Sequence, residues 1–299
     1  MSISSYPKFC YYGHHKAGST WILDMLYHAC AILKIKHKHY HSPSLFGKNL
    51  EFTCRHEKLI GVSYTSTEYA YAKPFLQFGI PGFHVYRDPR DVVISAYYSH
   101  LKSHGDNEWP ELRDYRARLQ TLSFEQGLKQ TVEDLEALHM DGDVLYIFDE
   151  LRNWELLHDS VIELAFEQLA SDPYYEFVRI FQHLGLCSQS RSALHRIWRF
   201  TFARLLVKMP LKGNTRMKEK LCVEEVLNLT YAHSFRKRTS GRGQGTEDQN
   251  SHLRKGKSGE WKNVFNRELA KLFADKHQDI LVKYGYESNG SWVNICKEQ

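Results

Sequence analysis

Short apolar runs alternate with stretches of helical period along this chain, a pattern that predicts parallel strands joined by helices. Residues 9–12 read as a first strand. After a turn, residues 19–33 read as a helix with Ile22, Met25, Leu26 and Ala29 on one face. Residues 59–63 read as a second strand and residues 83–86 as a third. Asp88 and Pro89 supply an N-cap and a first-turn proline for a helix carrying Val92, Val93, Ala96 and Tyr97. Ser123 and Gln126 have capping-box spacing and open a helix with Leu128, Val132, Leu135 and Leu138 inward. Residues 144–148 and 161–166 read as further strands. Asp172 and Pro173 begin a helix through Phe177, Ile180, Phe181 and Leu184 that stops at Gly185. Residues 240–258, rich in glycine and polar side chains, read as a loop of the kind that closes over ligands. Leu269, Leu272, Phe273, Ile280 and Leu281 mark a C-terminal helix. The whole implies a parallel sheet covered on both faces.

Length leaves one large domain or two ordinary ones open, and no apolar run approaches the roughly 18 residues that cross a bilayer. The N-terminus has no basic stretch followed by an apolar one, so a cytoplasmic location is expected. Six cysteines without a C-x-x-C pair read as free thiols, and no metal site is expected. The net charge of +5 suits an anionic ligand, but no long basic block or nucleic-acid module accompanies it, so nucleic acid is not an expected partner. Between residues 189 and 220 nine Lys/Arg face a single acid, Glu219, with aromatic and aliphatic residues interspersed. The preferred reading is a helical cap over the substrate site; weak membrane-surface contact is the second.

Three segments carry candidate chemistry. Residues 13–20, reading GHHKAGST, place a glycine turn between a strand and a helix, which presents backbone amides and a helix N-terminus to a phosphate. The glycine spacing matches G-x-x-x-x-G-K-[ST], yet Ser19 stands at the lysine position and Lys16 lies two residues before Gly18, which disfavours an ordinary ATPase. Residues 86–100 put Arg87 at a strand end, with Ser95 about two helical turns further on, where open α/β sheets bind ligands. In the third segment Arg254 and Lys255 precede the flexible Gly256, a combination that suits a second phosphate. Taken singly, each segment also reads as an ordinary turn, ion pair or basic loop.

Together the three resemble the signature of the cytosolic-type sulfotransferases that use 3′-phosphoadenosine 5′-phosphosulfate. His15-Lys16-Ala17-Gly18-Ser19-Thr20-Trp21 looks like their phosphosulfate loop, P-K-[SAC]-G-[ST]-T-W. Residues 87–95 look like R-[ND]-P-[RK]-D with its following serine, and residues 254–262 are similar to R-K-G-x-x-G-D-W-K, with Glu260 in place of aspartate. Phe166 stands where the family often has an adenine-contacting tyrosine. The resemblance implies one α/β domain over residues 1–299 with a P-loop-like phosphosulfate-binding loop. It also implies a metal-independent transfer of a sulfuryl group to a hydroxyl or amine, and a small-molecule, lipid or sugar acceptor. By it Lys16 neutralises the leaving oxygen, Ser19 and Thr20 hold the 5′ phosphate, and Trp21 and Phe235 enclose adenine. Arg87, Ser95, Arg254, Lys255 and Gly256 take the 3′ phosphate. The family's catalytic histidine normally follows the second strand, where this chain has none, and the general base is left among His100 first, then His104 and Glu68. A P-loop kinase and a non-catalytic nucleotide-binding protein remain the alternatives.

Overall fold

The computed structural model describes residues 6–105, 109–188 and 219–298. Five parallel strands form the sheet in the order β2-β3-β1-β4-β7: β1 (Phe9–Gly13), β2 (His37–Tyr40), β3 (Gly61–Tyr64), β4 (Gly82–Tyr86) and β7 (Val161–Ala165). The central strand β1 is buried throughout, because both faces of the sheet are covered. Phe9 and Tyr11 pack with α1 (Ser19–Leu33) and with the helix Pro173–His183, while Cys10 and Tyr12 pack on the other face with α2 (Leu50–His56) and α3 (Tyr69–Gln77). A third cluster joins α4 (Pro89–Tyr98), α5 (Leu112–Gln120), α6 (Phe124–Glu136), α7 (Ile147–Asn153) and the long helix Arg267–Lys283. The strand ends that follow β1, β3, β4 and β2 all open on one edge.

Local signals explain most boundaries. The Asp88 side chain accepts from the Arg90 amide at the start of α4, with Pro89 in its first turn. Ser123 and Gln126 form the reciprocal capping box of α6, and Asp172 accepts from the Tyr175 amide. Residues 240–258 form neither helix nor strand.

Two expectations are corrected. Residues 144–148 are not one sheet strand. Leu138–Met140 (β5) and Asp143–Leu145 (β6) form a separate antiparallel hairpin, and Ile147 already begins α7. Its turn is Asp141-Gly142, both at positive φ (53° and 75°), as a type I′ turn requires. Leu138, placed on the preceding helix by its period, belongs to this hairpin. The second correction is a strand between α1 and β3: β2, at the sheet edge, was not anticipated. The basic segment 189–220, with its cap and membrane-surface readings, falls almost wholly outside the described residues. Among the described residues no helix is long and apolar enough to cross a membrane.

Candidate active site

The turn after β1 reverses through two left-handed residues, Lys16 (φ 61°) and Gly18 (φ 83°), before α1 begins. No side chain caps α1, so its first amides are left for an anion. Ser19 Oγ donates to His14 O at 3.3 Å, which fixes the hydroxyl beside the turn. Gly18 is required twice over. Its φ disfavours any side chain, and a Cβ would stand 2.4 Å from the Phe166 ring. Gly18→Ala is expected to cost about 1–2 kcal/mol from φ alone, plus the displacement of Phe166. Urea unfolding reads this directly, and a variant as stable as the wild type would show that the turn relaxes freely.

A cavity of about 530 Å³ opens at the strand ends. Of the thirteen residues expected to contact the donor, twelve line it: His15, Lys16, Gly18, Ser19, Thr20, Trp21, Arg87, Ser95, Phe235, Arg254, Lys255 and Gly256. Ala17 is the exception, buried in the core. Arg87 donates to the Lys16 carbonyl at 3.1 Å and lies over the Phe166 ring, so it ties the second segment to the first. Trp21 meets Phe177 edge-on, with ring centroids 5.3 Å apart. Gly256, at φ 64°, gives the Phe235 ring room that a Cβ at 2.6 Å would remove.

The third segment is held by carboxylates. Arg254 and Lys255 both donate to Glu260, Lys255 at 2.9 Å, and Arg254 also reaches Glu247 at 2.7 Å. Asp91, 4.0 Å from Arg87, accepts from the Gly259 and Trp261 amides at 2.5 and 3.1 Å and so clamps the third segment to α4. Arg90 grips Asp88 with Nε at 3.0 Å and Nη2 at 2.8 Å, and reaches Glu287 at 2.6 Å between the rings of Trp261 and Trp292. Arg242 organises the loop by donating to the carbonyls of Thr246 and Leu253 at 3.0 and 2.6 Å. Nothing in the sequence distinguished it from the other basic residues nearby.

The cavity's electrostatics favour an anion. Burial and then the charge of Arg87 bring the amine of Lys16, a residue that lines the cavity, down to about 7. His252, whose Nε2 lies 3.3 Å from Thr20 Oγ1, is brought down to about 4 by the charge of Lys16 and then by burial. Arg87 Nε, Trp21 Nε1 and Ser258 Oγ are buried without a hydrogen-bond partner among the described residues. A cationic cradle with unused donors fits a polyphosphorylated nucleotide.

The three candidate bases fare differently. His100 does not line the cavity: it is 1% exposed, its Nε2 lies 3.1 Å from His15 Nε2, and it packs on Trp109. Five residues on from Ser95 is about 140° round an α-helix, so the two side chains do not share a face; a π-helical turn spans Ser99–Ser103, where Arg116 donates to the carbonyls of His100 and His104. His104 lines the cavity, with Nδ1 2.8 Å from Gly105 O. Glu68, at the N-cap of α3, does not. Unanticipated among the cavity-lining residues are His39 and His41 from β2 and the residue after it, Thr65 and Ser66 beyond β3, and Asp141 from the hairpin turn. Beneath the phosphate turn runs a buried row: Glu150 Oε2 to His14 Nδ1 at 3.0 Å, His14 Nε2 to His84 Nε2 at 2.7 Å, and His84 Nδ1 to Glu163 Oε2 at 2.5 Å. Burial raises the Glu150 carboxyl and lowers His14. Despite 17 histidines in the chain, no group of three or more His, Cys, Asp or Glu among the described residues is placed to hold a metal ion.

A family profile described as the sulfotransferase domain matches residues 83–284. The chain belongs to the sulfotransferase family. The match starts after the Lys16 turn, so that turn's part in this sulfotransferase is argued from its geometry. Among solved structures, the chain is similar to mouse sulfotransferase SULT7A1 complexed with PAP, at TM-score 0.53 and 15% identity over 97% of this chain and 90% of that one. It is also similar to retinol dehydratase in complex with androsterone and inactive cofactor PAP, at TM-score 0.52 and 16% identity over 92% and 81%. At such identities the likeness establishes the fold. No curated protein matches the sequence.

Proposed function

We propose that this sulfotransferase draws a sulfuryl group from 3′-phosphoadenosine 5′-phosphosulfate and passes it in line to a hydroxyl or amine of a small-molecule acceptor. The observation that carries the reading is the convergence of Lys16, Arg87, Arg254 and Lys255, from three separate loops, on one cavity. The reading is supported by two similar structures that contain PAP, a ligand with two phosphate positions of the kind the proposed cradle would hold. The turn amides with Ser19 and Thr20 hold the 5′ phosphate, and Lys16 neutralises the oxygen that gains charge as the S–O bond breaks. Arg87, Ser95, Arg254, Lys255 and the amide of Gly256 hold the 3′ phosphate, while Trp21 and Phe235 border the base. When bound, the donor supplies the sulfuryl group; the protein supplies position and positive charge. His100 acts at one remove, by fixing the His15 ring.

Calorimetry with adenosine 3′,5′-bisphosphate tests the donor site, with ATP–Mg²⁺ as the comparison. Because the Lys16 amine sits near 7 in the free protein, it is largely neutral at pH 8, and a bound phosphate favours its protonated form. Binding is therefore expected to take up close to one proton at pH 8, read from titrations in buffers of different ionisation enthalpy. Affinity falls by up to about tenfold per pH unit above 7 and levels off below it. Absence of proton uptake would remove Lys16 from the phosphates. Binding of ATP–Mg²⁺ but not of the bisphosphate would favour a kinase.

A further inference from the structure

The acceptor end of the cavity contains a histidine–carboxylate pair that no family motif in this chain accounts for. His41 follows β2, and its Nε2 lies 2.5 Å from Asp141 Oδ2; both side chains line the cavity. Neither position is incidental. Strand register pairs Tyr40 with Tyr64 and Tyr64 with Tyr12, and Thr65 N donates to Tyr40 O at 3.0 Å. His41 therefore stands level with Thr65 and with the start of the Lys16 turn. At the usual interstrand spacing its backbone is about 10 Å from that of β1, which leaves room for an acceptor group between them. Asp141 is delivered by the type I′ turn between β5 and β6, and that hairpin is anchored where the Ser44 amide donates to Asp143 Oδ2 at 2.7 Å.

The other cavity histidines are committed elsewhere. His39 Nε2 is 2.7 Å from Thr65 Oγ1, and burial with the neighbouring His41 and His37 brings His39 down to about 3, a poor proton acceptor. His15 is engaged by His100, His104 by the Gly105 carbonyl, His252 by Thr20 on the donor side, and His233 by His28. A carboxylate can only accept, so the His41–Asp141 bond places the proton on Nε2 and leaves the Nδ1 lone pair available.

We propose that His41, oriented by Asp141, is the general base for the acceptor, a role resting on the sulfotransferase reading above. The acceptor O–H bond breaks and its proton passes to His41 Nδ1. The acceptor oxygen bonds to sulfur, and the S–O bond to the 5′ phosphate breaks with its electron pair leaving on the phosphate oxygen next to Lys16. The arrangement of orienting carboxylate, imidazole and nucleophile is that of other hydroxyl-activating sites.

The test uses water as acceptor, so that no acceptor need be known: labelled sulfate released from 3′-phosphoadenosine 5′-phosphosulfate is measured beside calorimetric binding of adenosine 3′,5′-bisphosphate. His41→Gly is expected to lower sulfate release about 100-fold, to bind the bisphosphate within about twofold of wild type, and to recover about tenfold on addition of free imidazole. Asp141→Asn is expected to lose about tenfold. Release by His41→Gly within about threefold of wild type overturns the proposal, as does a loss that imidazole does not restore. Wild-type protein that binds the bisphosphate but releases no sulfate overturns the base and leaves the donor site standing. Failure to bind the bisphosphate overturns the donor reading itself.

Discussion

Lys16→Met is expected to lower turnover about 100- to 1000-fold while bisphosphate affinity near pH 8 changes by no more than about tenfold. The asymmetry follows from where charge develops. In the donor complex proposed above the phosphates are shared among the turn amides, Arg87 and the third segment, so removing one cation that is largely neutral at pH 8 is expected to cost little binding. In the transition state the leaving oxygen acquires charge beside Lys16, and loss of a single preorganised donor at such a position is worth two to three orders of magnitude. Single-turnover measurement with radiolabelled donor separates the effects: wild-type turnover sinks the role, and a loss confined to binding reassigns Lys16 to ground-state contact. The proton uptake described above also disappears in this variant.

Arg90→Ala is expected to destabilise the fold by about 3–5 kcal/mol, because it strips a buried carboxylate of its partner. Arg90 is 1% exposed, and its three nitrogens are spent on Asp88 and Glu287 between two tryptophan rings. Asp88 also caps α4, the helix that carries Asp91 and Ser95. Arg90→Lys rescues only part of the loss, since an ammonium cannot make the two-point contact or the flat stacking of a guanidinium. Thermal unfolding is expected to shift by about 10 °C for the alanine variant. A shift under about 2 °C would show that Asp88 finds another partner.

The strand–turn–helix units were legible because an apolar run, a glycine or Asp-Pro signal and a helical period stood in the same stretch. The three segments that meet at the cavity were legible for the same reason, each being contiguous. The end of the cavity proposed for the acceptor was not, since it assembles from β2, the residues after β3 and a hairpin turn. Of β2, His37-Lys38-His39-Tyr40, only Tyr40 is buried, so no apolar alternation announces an edge strand. Residues 144–148 misled because a short apolar run looks alike in a strand and in a buried helix start. His100 was misplaced because five residues on from Ser95 is about 140° round a helix, which turns it off the face that Ser95 presents. Asp91 and Arg242 were visible as charges, but which amides and carbonyls they would hold depended on loops brought together only by folding.

The buried row under the phosphate turn has an electrostatic consequence. Its three links join two carboxyl groups through two imidazoles, and each link needs one hydrogen. Two neutral imidazoles bring two, so a third proton must reside within the row. Burial lifts Glu150 far above the carboxylate range, which makes it the holder. Every bond then points the same way, from Glu150 through His14 and His84 to Glu163. At the far end of the row Trp154 Nε1 donates to Glu163 at 3.0 Å. The group directly behind His14 is thereby uncharged, and no buried anion in this row stands at the back of the turn to repel a nucleotide's phosphates.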